Sequence, residues 1–80
     1  MTLGEAFTIR INELLKERNV SLYKFLKENS IARSTIVNIA NGKTKCPTLA
    51  TVYQVAYAFS MTPVEFLSHP LFDGNEVDYL

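Results

Sequence analysis

Arg33, Ser34, Val37, Asn38 and Asn41 recur at i, i+1, i+4, i+5 and i+8, a spacing that puts them on one stripe of a helix. Behind them runs Gly42-Lys43-Thr44-Lys45. The stripe offers small polar groups and one guanidinium, and the stretch that follows adds two ammonium groups. Across residues 21–45 Lys24, Lys27, Arg33, Lys43 and Lys45 face Glu28 alone, a local excess of four positive charges. Such a footprint is what contact with phosphate requires. On the charges alone, a solvated face is the plainer reading. The formal net charge of zero conceals this footprint, because Asp73, Glu76 and Asp78 gather three of the eight acids at the C-terminal end.

The stripe needs a helix to carry it and neighbours to hold that helix. Leu3, Phe7, Ile11, Leu14 and Leu15 recur at helical spacing and predict an amphipathic helix over 5–18, closed near Asn19. Ser21 is the N-cap of a second, short helix that buries Leu22, Phe25 and Leu26. Asn29 and Ser30 form the turn. The third helix buries Ile36 and Ile39 and stops at Gly42, which fixes the polar stripe as its outer face. Thr48 caps a fourth helix that buries Leu49, Val52, Val55, Ala56 and Phe59. The run Thr62-Pro63-Val64-Glu65 reads as a capping box with proline at the first helical position, opening a fifth helix through Phe66, Leu67 and Ser68. No alternation of strand type occurs, so the fold class is all-α. Pro70 ends the last helix, which divides the chain into a domain over 1–69 and an apolar, acidic tail over 70–80.

Eighty residues with 48% hydrophobic and 20% charged content make one small globular domain, which buries only roughly 60–65% of its unfolded surface. No apolar run approaches a membrane span, and the start lacks the basic and apolar regions of a secretory signal, so the expected location is the cytoplasm. Cys46 is the lone cysteine, without a Cys or His at ligand spacing, and no metal is expected. His69, beside Pro70, has no triad or ligand partner that the sequence points to; it reads as a satisfied or solvent-facing histidine, and neither enzyme activity nor a cofactor is expected. The aromatic residues Phe7, Phe25, Tyr53, Tyr57, Phe59 and Phe66 fall at helical spacing and read as core filling.

Two short helices joined by a few residues, the second with a polar outer face, describe a helix-turn-helix. The stretch SLYKFLKENSIARSTIVNIANGKTKCPTL resembles that of the Cro and phage-repressor family, also called the xenobiotic-response-element family. The resemblance covers roughly residues 9–67. It rests on Ser21, on RSTI in the third helix, on NGKTK behind it, on P-T-L opening the fourth helix and on TPVEFL in the fifth. It implies a compact five-helix bundle of the lambda-repressor type, with the third helix entering the major groove of double-stranded DNA and the second crossing the backbone.

Carried onto this chain, the resemblance makes Arg33, Ser34, Val37 and Asn38 the base-reading residues. Arginine can donate two parallel bonds to guanine, asparagine can pair with adenine, and valine can pack on a thymine methyl. Phosphate contacts fall to Ser21 and Lys24 at the start of the second helix, and to Asn41, Gly42, Lys43 and Lys45 in the loop, whose backbone amides would approach the phosphate closely. The chain departs from the family pattern at several places: Leu22 replaces a backbone-touching glutamine, Ser30 the turn glycine, and Ala32 a polar cap. Leu15 and Ala40 stand where many members carry a basic and acidic pair.

The implied function is a transcriptional regulator, a repressor, recognising an operator as a homodimer. Phe66, Leu67, Leu71, Phe72 and Tyr79 are the candidate interface, the alternative being that the tail packs back on its own domain. The alternative is a protein-interaction module on the same fold that binds another regulator and reads DNA weakly or not at all.

Overall fold

The structure is a computed structural model that describes residues 1–73. Among these residues the elements are α1 (Leu3–Arg18), α2 (Leu22–Glu28), α3 (Arg33–Ala40), α4 (Leu49–Ala58) and α5 (Pro63–Leu67), followed by a 3-10 turn over Pro70–Phe72. No strand occurs among them. α1 is the longest and lies against α3, α2 and the 3-10 turn, while α4 packs on α5.

α1 begins two residues earlier than hydrophobic periodicity predicts, and the reason is a capping box. Thr2 Oγ1 accepts from the Glu5 amide at 3.1 Å, and Glu5 Oε1 accepts from the Thr2 amide at 2.9 Å. The same reciprocal pair closes on Thr62 and Glu65 at 3.1 and 2.9 Å, as the sequence predicts. Ser21 accepts from the Lys24 amide at 3.2 Å and Thr48 from the Thr51 amide at 3.1 Å. α3 has no such cap, because Ala32 carries no acceptor. α5 is shorter than expected, with Ser68 as its C-cap.

Three helices end in the same device. After α1, α2 and α4 the residue in the left-handed region is Asn19, Ser30 and Ser60, with φ of 54°, 55° and 59°. The next amide reaches back to the carbonyl of the last turn: Val20 to Leu15 at 3.1 Å, Ile31 to Leu26 at 3.0 Å and Met61 to Ala56 at 2.9 Å. These are Schellman closures, which pair an apolar residue beyond the helix with one in its last turn. Ile31, assigned no role by periodicity, is thereby buried beside Leu26. In the turn after α2 Asn29 keeps φ at −105°, its side chain donating to the Phe25 carbonyl at 2.8 Å, and Ser30 takes the left-handed position.

Phe7, Phe59, Phe66 and Val55 are the largest fully buried side chains. The Phe25 and Phe59 rings stack at 4.2 Å, and Phe7 meets Phe66 at 5.7 Å. Two corrections concern α4 and the aromatic set. Leu49 is 69% exposed, not buried, because the groove it faces beside α1 and α5 is filled by no other described element. Tyr53 and Tyr57 are exposed and touch each other at 6.3 Å outside the core.

Two arginines of α1 do structural work that the helical pattern hid. Arg10 is buried, donating from Nε to the Phe66 carbonyl at 2.9 Å and lying over the Phe66 ring at 5.7 Å. Arg18 donates to the Phe59 carbonyl and lies over the Phe59 ring at 5.3 Å. Each guanidinium thus satisfies carbonyls at the C-terminal end of a helix, where its charge also suits the helix dipole. Leu15 is buried, whereas Ala40 is exposed.

Candidate nucleic-acid interface

α3 is anchored by Ile36 and Ile39, which are 3% and 4% exposed. Helical geometry then leaves the opposite side free. Arg33 and Ser34 are exposed, Val37 is 37% exposed, and Asn38 is half-buried at the edge of the stripe. The sequence-predicted reading residues therefore share one accessible face of α3. Asn38 reaches it least, and its backbone carbonyl accepts from the Thr44 amide at 2.9 Å.

The loop behind α3 departs from the Schellman pattern of the other helices. Gly42 is left-handed, φ 82°, with no atom near its missing Cβ, and its amide donates to the Ile39 carbonyl at 3.3 Å. The Lys43 amide donates to Asn41 Oδ1 at 3.0 Å. The amides of Gly42, Lys43 and Thr44 are therefore all engaged inside the protein. A phosphate approaching the amides around Gly42 and Lys43 would share them with these acceptors. Charge in the loop comes from the exposed Lys43 and Lys45 side chains, and Asn41 Oδ1 builds the turn by accepting from the Lys43 amide.

What fixes the loop in space is a contact that the motif does not contain. The Gly4 amide in the first turn of α1 donates to the Lys45 carbonyl at 3.1 Å. A Cβ at Gly4 would lie 2.6 Å from that oxygen. A signal for it existed: the Thr2-x-x-Glu5 box starts α1 ahead of Gly4, and a glycine inside a helix asks for a close approach.

At the start of α2, Ser21 and Lys24 are exposed. Lys24 Nζ stands 4.0 Å from Glu28 Oε1, with both side chains well exposed. Such a pair is worth about 0.3–0.5 kcal/mol and leaves the ammonium available. Lys27 lies 5.9 Å from the Tyr23 ring centroid. Of the predicted interface between copies, Phe66 is a correction: it is 0% exposed and fills the core against Phe7. Leu67 is 38% exposed, Leu71 and Phe72 are half-buried in the 3-10 turn, and Tyr79 lies outside the described residues.

His69 is satisfied within the fold. Its Nδ1 accepts from the Leu71 amide at 3.1 Å, so Nε2 carries the proton of the neutral ring and donates to Glu13 Oε2 at 3.2 Å. No group of three or more metal-ligand residues occurs among the described residues, and none of their helices is long and apolar enough to cross a membrane.

Two short helices joined by a Schellman turn, the second anchored by two isoleucines with its polar side outward, define a helix-turn-helix protein. Residues 8–70 match the family model described as a helix-turn-helix domain, and the chain belongs to that family, of the Cro and xenobiotic-response-element type. No curated protein matches the chain at a significant level.

Proposed function

We propose that the protein is a sequence-specific DNA-binding regulator of transcription, a repressor that occupies an operator in the cytoplasm as a homodimer. The single observation that carries this reading is the exposed stripe of Arg33, Ser34 and Val37 on a helix anchored from behind by Ile36 and Ile39. Membership of the helix-turn-helix family supports it. α3 enters the major groove, where Arg33 donates to guanine, Val37 meets a thymine methyl, and Ser34 and Asn38 bond to neighbouring base edges. Lys43 and Lys45 on one side, and Ser21 and Lys24 on the other, grip phosphates and set the register.

One helix with a single arginine makes few base contacts, and two half-sites combine their energies. Leu67 with the exposed Tyr53, Tyr57 and Val64 supplies apolar surface for a second copy. The test is selection of bound sequences from random duplex DNA, repeated with Arg33→Ala and Lys43→Ala. Arg33→Ala relaxes the preference at one base position, at a cost of about 1–3 kcal/mol there, while Lys43→Ala weakens all sites alike and lowers the salt slope by about one. Equal effects of both changes on every sequence would refute the division of roles. Absence of binding even at low salt would favour an interaction module instead.

A further inference from the structure

We propose that His69 is a proton-controlled latch: neutral, it holds the 3-10 turn over Pro70–Phe72 against α1, and protonation releases the turn. The latch is independent of the DNA-binding reading. Pro70 has no N–H, so the first backbone donor of the turn is the Leu71 amide, and His69 Nδ1 accepts from it at 3.1 Å. The same ring reaches α1, where Nε2 stands 3.2 Å from Glu13 Oε2. An amide N–H can only donate, and a carboxylate can only accept. One state of the ring meets both demands: the neutral tautomer with its proton on Nε2. The His69 side chain is 23% exposed and that of Glu13 47%, so solvent protons reach the pair.

Protonation sets the two contacts against each other. Toward Glu13 the imidazolium gains an ion pair and a stronger, charge-assisted bond. Toward Leu71 the new Nδ1–H faces the amide N–H across 3.1 Å, donor against donor. No rotation of the ring restores an acceptor, because both nitrogens of the imidazolium donate. The ring therefore stays with α1 and lets go of the turn. Two backbone bonds remain inside the turn: the Phe72 amide donates to the His69 carbonyl at 3.0 Å and the Asp73 amide to the Pro70 carbonyl at 3.1 Å. A 3-10 run this short has poor hydrogen-bond geometry of its own. Phe72 rests on the Phe66 ring at 6.3 Å and walls the groove that Leu49 and Leu67 also line, so release uncovers apolar surface there. Other charged groups on the packed elements are engaged or turned outward. Arg10 donates to the Glu65 and Phe66 carbonyls, the Glu65 carboxylate accepts from the Thr62 amide, Lys16 and Glu17 are exposed one turn beyond Glu13, and Asp73 closes the turn itself. Glu76 and Asp78 lie outside the described residues. Among the described residues Glu13 is thus the carboxylate bonded to the ring.

The test is NMR of the full chain from about pH 8 to about pH 5, the range in which histidine ordinarily changes charge. At the upper end the His69 ring nitrogens should show the Nε2–H tautomer, and the Leu71 amide should exchange more slowly than in an unstructured peptide at the same pH. As the His69 ring resonances report protonation, this protection of Leu71 should fall several-fold and the contacts between the Phe72 and Phe66 rings should weaken, while the amides of α1 and α4 stay protected. His69→Asn offers an amide oxygen near the place of Nδ1, and should keep Leu71 protected at both ends of the range. His69→Gln reaches toward Glu13 without an acceptor at that place, and should leave Leu71 unprotected at both. Glu13→Gln removes the counter-charge of the imidazolium and should move the release to lower pH. Loss of the pH dependence in Glu13→Gln would assign the proton to the carboxylate and overturn the latch. So would the opposite tautomer at the upper end, Leu71 protection that stays constant while His69 titrates, or the same fall in His69→Asn.

Discussion

The Gly4 amide holds the Lys45 carbonyl at 3.1 Å, and no side chain fits between them. The first turn of α1 is thus the seat of the loop that carries Lys43 and Lys45. Gly4→Ala removes a helix-interior glycine, which favours folding by about 0.5–1 kcal/mol. It also puts a methyl 2.6 Å from a backbone oxygen and breaks the bond, a net destabilisation of about 1–2 kcal/mol. The loop must move, so DNA affinity should fall alike for all sequences while base preference is kept. A changed base preference with an unchanged salt slope would show that the seat positions α3 and not the loop.

Arg10 reaches from α1 to the end of α5. Arg10→Ala leaves the Phe66 carbonyl without its charged donor and should cost about 2–3 kcal/mol in urea unfolding. For a domain whose whole stability is about 5–15 kcal/mol, that is a large fraction. Arg18→Ala, at a more exposed residue, should cost about 1 kcal/mol. Equal losses from the two changes would mean that burial of the guanidinium does not set its contribution.

Ser30 and Ser60 occupy backbone that costs a side-chain-bearing residue about 1–2 kcal/mol. Glycine there removes the strain but frees the unfolded chain by about 0.4–1 kcal/mol. Ser30→Gly and Ser60→Gly should each stabilise the protein by about 0.5–1 kcal/mol, a rise in Tm of about 2–8 °C. A lower Tm for either would show that the serine makes a contact that offsets its strain.

The two capping boxes should give stability an acid-sensitive component. The backbone amides of Thr2 and Thr62 hold the Glu5 and Glu65 carboxyls below the ordinary glutamate value of 4.5, with the cap hydroxyls adding to the effect. A carboxyl whose folded pKa is lowered contributes stability that is present above its unfolded value and lost as pH falls through the folded one. Urea midpoints measured from pH 6 down to pH 3 should therefore fall less steeply in Glu5→Gln/Glu65→Gln than in the parent chain. Parallel curves would place the acid sensitivity elsewhere.

Much of the fold was legible because its signals are local. Apolar spacing placed the helices, Ser21, Thr48 and Thr62 marked three starts, and Gly42 marked the stop of α3. Each of these depends on atoms within one or two turns, which a window of sequence contains. The same locality fixed Arg33, Ser34 and Val37 as one outer face once Ile36 and Ile39 were assigned inward.

Tertiary structure decided what depends on distant partners. Only the fold could bury Arg10 under Phe66, 56 positions away, remove Phe66 from the surface offered to a second copy, and leave Leu49 uncovered by any other described residue beside a groove. It also seated Lys45 on Gly4 and gave the loop amides internal acceptors. Periodicity states which face of a helix turns inward; what meets that face, and which hydrogen-bonding groups remain available, is set by packing between segments far apart in the chain.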